Sequence, residues 1–309
     1  VHQGMDFPEI PVSRIPAGNE EELLIALQKA WEMGEESVPG PWQNTVVVAA
    51  DDEWGTASYD ETYHVGNSEA LCDTLLPRSL NIIKHYLIEY PWPPGTSVQG
   101  VHPEKPQAAA DLIDLLNIGT TSVTFYGHGS YDQMASEKLL SSVMVSQLSN
   151  APRYFLFNSF SCNNGEFTLT AGDCLSEVLL FRPGGGAAIT MACTGGSYFG
   201  QNKYLSLAFM DAIYGEERLS VGEAFWLATV SLQDYRNLEY CVLGDGGIVI
   251  PMGQDSLCET ISPDTLYRGR MNSVEVSFPL ETSFLFNSME SSNEVTYVSP
   301  LSDDFSIDY

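Results

Sequence analysis

Basic residues are scarce: 13 Lys and Arg stand against 41 Asp and Glu, a formal net charge of −28 over 309 residues. So acidic a chain repels phosphate backbones and anionic lipid, which argues against nucleic acid as a partner. No apolar run approaches the 18 or so residues that a membrane span requires, and no stretch reads as a secretory h-region. With Val1 as its first residue, the chain reads as a processed or excised piece of a longer precursor. Its six cysteines include no C-x-x-C pair, which argues against a zinc site or a dense disulfide framework. Most lie in apolar stretches such as Tyr240-Cys241-Val242-Leu243, where a thiol serves as a small hydrophobe. No histidine follows position 128. A Cys/His pair built on Cys162 must therefore run His first, the reverse of the papain order. No G-x-S-x-G elbow occurs, and Gly127-His128-Gly129 is followed by no Lys-Ser/Thr, so neither an elbow-type serine hydrolase nor a phosphate loop fits.

What remains, at 44% hydrophobic and 17% charged, is a globular chain. Residues 1–44 read as the end of an upstream subdomain and a connecting helix. A proline-punctuated entry leads to a helix over Glu20–Met33, capped by Asn19, with Leu23, Leu24, Ala26, Leu27, Ala30 and Trp31 on one side. Residues 45–251 alternate strand and helix, which predicts an α/β fold with a mostly parallel central sheet flanked by helices. The strands fall at Thr45–Ala50, Ile82–Leu87, Ser122–Tyr126, Tyr154–Asn158, Ala187–Ala192 and Gly247–Ile250. The intervening helices fall near Asn67–Leu76, Pro106–Leu116, Glu137–Leu148, Cys174–Phe181, Asn202–Tyr214 and Val221–Tyr235. Residues 252–309 are Ser-rich and acidic around short alternating runs, Ser273–Phe278 and Glu294–Val298, and read as a β-rich segment appended to the core.

Two motifs carry the chemistry. Tyr126-Gly127-His128-Gly129-Ser130 follows one apolar strand, and Ser161-Cys162-Asn163-Asn164-Gly165-Glu166-Phe167, 34 residues on, follows the next. Neighbouring parallel strands lie about 4.8 Å apart, so a His and a Cys on the same sheet edge can share one substrate. A thiolate can attack a carbonyl carbon while an imidazole protonates the leaving amine. The Gly129 and Cys162 N–H groups are the candidate oxyanion donors, each worth about 100- to 1000-fold in rate.

These residues resemble the His and Cys motifs of the gingipain-like cysteine peptidases, a branch of the caspase-like (caspase–hemoglobinase) fold. The likeness runs from about Phe7 to Ile250. It takes in Pro8–Pro16, the Ala50-Asp51-Asp52 strand end and Val242-Leu243-Gly244-Asp245, with departures at Ser13 and Gly246 where that family has Gly and Pro. The resemblance implies a cysteine endopeptidase acting on protein or peptide, with Cys162 as nucleophile, His128 as general acid/base and no metal needed for catalysis. It implies a caspase-like three-layer sandwich and a bacterial secreted or cell-surface setting. It also implies an acid orienting the His, for which Asp52 fits first and Asp51 and Glu53 next. The same acids, with Asp60 and Glu61, also suit a polar loop or a structural calcium. Glu61, three before His64, matches the acid that pairs with a basic P1 side chain in some members, and is equally readable as an exposed turn residue. Tyr198 and Phe199 resemble the aromatic lid over S1, or are plain core aromatics. Two alternatives stay open: a sortase-like transpeptidase working with a secretion machinery, and an idle surface binding module on the same fold.

Overall fold

The computed structural model describes residues 7–52, 62–75, 80–92, 94, 103–170 and 172–253, and the backbone of 260–262, 272–273, 275–277 and 306–307. Its centre is a six-stranded sheet that grows from apolar, often β-branched runs. These are β1 (Thr45–Ala50), β2 (Asn81–Tyr86), β3 (Ser122–Tyr126), β7 (Phe155–Phe160), β8 (Ala187–Cys193) and β9 (Tyr240–Gly244), in the order β2-β1-β3-β7-β8-β9. Between β3 and β7 lie three two-residue strands, β4 (Gly129–Ser130), β5 (Gln133–Met134) and β6 (Leu140–Ser141), which pair antiparallel as a separate small sheet. The pairs β1–β2, β1–β3, β3–β7 and β7–β8 are parallel, and β9 runs antiparallel to β8.

A parallel strand covered on both faces must be apolar throughout, and β1, β3, β7 and β8 are buried at every residue. Their side chains alternate between two cores. Val46, Val48, Leu156 and Phe160 pack with α2 (Tyr63–Leu75), α5 (Phe199–Tyr214) and α6 (Val221–Leu232). Val47, Ala49, Phe155 and Phe157 pack with α3 (Pro106–Ile118) and α4 (Leu175–Phe181). Three layers result, as the alternation of elements predicts, and every parallel strand ends on the same sheet edge.

Two expectations change. The run Gly247–Ile250 is not a strand: Gly244 turns at φ +115°, Ile248 N–H donates to the Asp245 carbonyl, and the last sheet strand is β9. Ile248 and Ile250 are buried all the same, so their apolar character reflects packing and not ladder pairing. The stretch Glu137–Leu148 is not a helix either. After the small sheet, only one 3₁₀ turn follows, Met144–Gln147. Ala135 and Lys138 take left-handed backbone angles that a helix cannot contain, while Leu139, Leu140, Val145 and Leu148 still reach the second core.

The first helix, α1 (Glu20–Gly34), forms with the Asn19 side chain accepting from Glu22 N–H as its cap. It buries Ala26, Lys29, Ala30 and Met33, and leaves Leu23, Leu24, Leu27 and Trp31 exposed. The small alanines let α1 approach α4 and β8, and Lys29 Nζ donates to the Leu179 and Ala187 carbonyls at 2.9 and 3.2 Å. Burial lowers the Lys29 ammonium to about 6. Near the C-terminus, β10 (Thr260–Ser262) pairs antiparallel with β12 (Glu275–Ser277), and β11 (Asn272–Ser273) with β13 (Ser306–Ile307). The run Glu294–Val298 lies outside the described residues.

Candidate active site

His128 and Cys162 leave adjacent strands two residues past a matched pair, Tyr126 of β3 opposite Phe160 of β7. Shared register therefore carries both to one edge of the sheet. The chain around His128 is packed too tightly for side chains. A Cβ on Gly127 would lie 2.4 Å from Phe125 Cζ and 2.6 Å from Asp51 Cβ; one on Gly129 would lie 2.5 Å from Ser161 Oγ and 2.8 Å from the Cys162 carbonyl oxygen. The two glycines thus admit Asp51 on one side of the His and the Cys162 turn on the other. The His128 imidazole itself is exposed.

Asp51 is the residue after β1, and its N–H still donates to the Tyr126 carbonyl at 2.8 Å. Its buried carboxylate accepts the His128 backbone N–H at 2.9 Å. Burial first, and then the Glu137 charge, raise the Asp51 carboxyl well above the usual carboxylate range. Its neighbour Asp52 faces elsewhere: Lys105 Nζ donates to Asp52 Oδ2 at 2.9 Å, with both side chains at most 3% exposed. The same ammonium donates to the Leu87 carbonyl at 2.7 Å and sits 4.2 Å from the Trp92 ring centre. Donor oxygens of Asp51, Asp52 and Glu137 lie within 4.8 Å of one another, a buried acidic group that could hold a cation.

Cys162 sits on a turn fixed from below. Ser159 and Ser161 both donate to Asn164 Oδ1 at 2.6 Å, and Asn164 Nδ2 donates to the carbonyls of Ser130 and Gln133. All three side chains are fully buried. Asn164 thereby ties the cysteine turn to the segment that follows His128, and Asn163, with φ +62°, makes the turn tight. Above the thiol, Ser197 N–H donates to Cys162 Sγ at 3.3 Å, a donor suited to negative charge on sulfur. The other described thiols are shifted by burial. Burial pushes Cys193 up to about 11 and Cys241 up to about 12, and raises Cys72 and Cys174 as well, which fits the structural role read from their apolar surroundings.

An aromatic row closes one side. Phe199 stacks on Tyr63 with ring centres 4.2 Å apart, Tyr63 meets His64 edge-on at 4.6 Å, and His64 meets His128 edge-on at 5.4 Å. Phe199 and Tyr198 are more than half exposed, so they lie at the surface and not in the core. Arg236 lies 5.9 Å from the Tyr198 ring. Glu61 lies outside the described residues, as do Glu53 and Asp60.

The sequence does not mark Asn164 or Ser197 as site residues, and His64 enters it only as the landmark for Glu61. Small polar residues at 159, 161 and 164 within an apolar run were the available signal for Asn164; nothing local marked Ser197, which arrives from the loop after β8.

The model of peptidase family C25 matches residues 1–251. No curated protein matches the chain in sequence. Among solved structures, the chain is similar to the Arg-specific cysteine proteinase gingipain R (RgpB), at 17% identity and a TM-score of 0.64, over 89% of this chain and 64% of that one. It is similar to a complex of the Porphyromonas gingivalis RgpB pro- and mature domains, at 16% identity and 0.64, over 89% and 65%. A structure described as a protease matches at 18% and 0.61, over 89% and 64%. At such identities the likeness is one of fold, and the chain spans just under two thirds of each of those chains.

Proposed function

The chain belongs to peptidase family C25, and on that premise we propose that it is a cysteine endopeptidase in which Cys162 is the nucleophile and His128 the general acid/base. The observation that carries this reading is the shared register of β3 and β7, with Gly129 packed against the Cys162 carbonyl. The Cys162 thiolate adds to the scissile carbonyl, and His128 protonates the departing amine. His128 then takes a proton from water, which releases the acyl group from sulfur. The N–H groups of Gly129 and Cys162 are the proposed oxyanion donors.

For the acid that orients His128, the geometry favours Asp51 over its neighbour. Asp51 has a carboxylate oxygen within 4.8 Å of a His128 ring nitrogen, whereas Asp52 Oδ2 is held by Lys105. Tyr198 and Phe199 form the proposed substrate rim, and Glu61 supplies the proposed preference for a basic P1 residue, the pairing a carboxylate suits. Residues 45–251 are the proposed catalytic domain, entered through 1–44 and followed by the β-rich 252–309. Proteins or peptides met outside the cell are the proposed substrates. No described helix is long and apolar enough to cross a membrane.

The test is cleavage of a peptide library by the wild type beside Cys162→Ala. Cleavage confined to the wild type is expected, with iodoacetamide abolishing it by alkylating Cys162. Cleavage by the Ala variant would refute the nucleophile, and indifference to P1 charge would refute the role of Glu61.

A further inference from the structure

His64 has no task in thiol hydrolysis and yet is held beside His128. It is 7% exposed, and its Nε2 is buried with no hydrogen-bond partner. Leaving a buried polar nitrogen unpaired is unfavourable, so the position needs a reason. Ring nitrogens of His64 and His128 and a carboxylate oxygen of Asp51 all lie within 4.8 Å of one another. The three come from separate elements: the first turn of α2, the loop after β3 and the end of β1. Asp51 is fixed in place by the His128 N–H. His128 is exposed, which leaves the set open to solvent on one side.

We propose that Asp51, His64 and His128 form a Zn²⁺ site whose occupation withdraws the His128 imidazole from catalysis, so that zinc is a reversible inhibitor. Two imidazoles and one carboxylate, with a position left open, match the ligand preference of zinc and not the all-oxygen preference of calcium or magnesium. Tetrahedral bonds of about 2.0–2.1 Å bring ligand atoms to about 3.4 Å apart, so the set must contract modestly, and the exposed His128 side chain can swing inward. Glu137 adds negative charge beside the site, while the charge of Asp52 is offset by Lys105. Binding of the metal stands on these three side chains alone; only its effect on activity rests on the peptidase reading.

The experiment is calorimetric titration of Zn²⁺ into the full chain carrying Cys162→Ala, which removes self-cleavage and any Cys162 ligation together. One Zn²⁺ per chain is expected, unaffected by excess Ca²⁺ or Mg²⁺. Adding His64→Phe or His128→Ala should each weaken it more than about 10-fold, since even residues that only support a ligand are worth 10- to 100-fold. Phe at position 64 removes the unpaired nitrogen, so the thermal midpoint should not fall, and His128→Ala alters an exposed side chain, so a folded variant is available in either case. Unchanged affinity in His64→Phe would overturn the proposal, as would loss of binding in Cys162→Ala alone, which would instead mark a Cys162–His128 site. For the wild type, zinc should suppress peptide cleavage and a chelator restore it. A wild type that cleaves nothing would sink the peptidase reading while the titration still decides the metal site.

Discussion

Replacing Lys105 by Met tests whether the Lys105–Asp52 pair is a structural anchor for the loop after β1. The ammonium is 3% exposed and Asp52 2% exposed, with 2.9 Å between them. Removing the cation takes from the buried Asp52 carboxylate its Lys105 ion pair, beside the carboxyl groups of Asp51 and Glu137. Breaking one side of a buried pair costs about 3–5 kcal/mol, and the neighbouring acids push this case toward the upper end. At about 2–4 °C per kcal/mol, the thermal midpoint should fall by roughly 6–20 °C. The double variant Lys105→Met/Asp52→Leu removes both charges and should recover most of the loss, because an apolar replacement for a buried pair is often neutral or better. Urea unfolding of the wild type, both single variants and the double variant yields the coupling energy directly. If Lys105→Met costs less than about 1 kcal/mol, or if the double variant loses the sum of the single losses, the anchoring argument fails. Peptide cleavage by the same proteins separates the two aspartates. The folded double variant should keep its rate, while Asp51→Asn should lose about two orders of magnitude or more. The reverse pattern would return the His-orienting role to Asp52.

Two further outcomes follow from the same geometry. Gly127→Ala and Gly129→Ala should each cost about 1–3 kcal/mol through overpacking and lower cleavage. Gly66→Ala, in α2 with nothing within 4 Å of the new methyl, should be neutral or stabilising by up to about 1 kcal/mol; equal losses at all three positions in chemical denaturation would contradict the packing argument. Burial, with the His128 charge second, lowers His64 from 6.5 to about 3. The unfolded chain therefore binds the extra proton between those values, and stability must fall as pH drops from about 6.5 toward 3. His64→Phe should remove up to about 1.4 kcal/mol per pH unit of that slope. Identical slopes for wild type and variant would show that His64 does not stay neutral in the fold.

Much of the architecture was legible because burial on both faces leaves no polar alternative along a parallel strand. β1, β3, β7 and β8 could be read from apolar runs, and the ends of two of them carried His128 and Cys162. Legibility failed where a residue's apolar character did not specify how it would be buried. Leu139, Leu140, Val145 and Leu148 are core residues delivered by hairpins and a 3₁₀ turn and not by a helix. Of Leu23, Leu24, Ala26, Leu27, Ala30 and Trp31, read as one side of α1, only the two alanines are buried, joined by Met33 and by a lysine whose ammonium finds two carbonyls.

The amino-acid sequence by itself determined the parallel strands β1, β2, β3, β7 and β8, the order His before Cys, and the strand ends on which both stand. Only the tertiary structure gave the two aspartates different partners. Asp51 and Asp52 are chemically identical and adjacent, and what separates them is a lysine 53 residues beyond Asp52 and a backbone N–H 77 residues beyond Asp51. Coulomb attraction and hydrogen bonding act through a few ångströms of space, so a carboxylate's role is set by neighbours that local sequence cannot name.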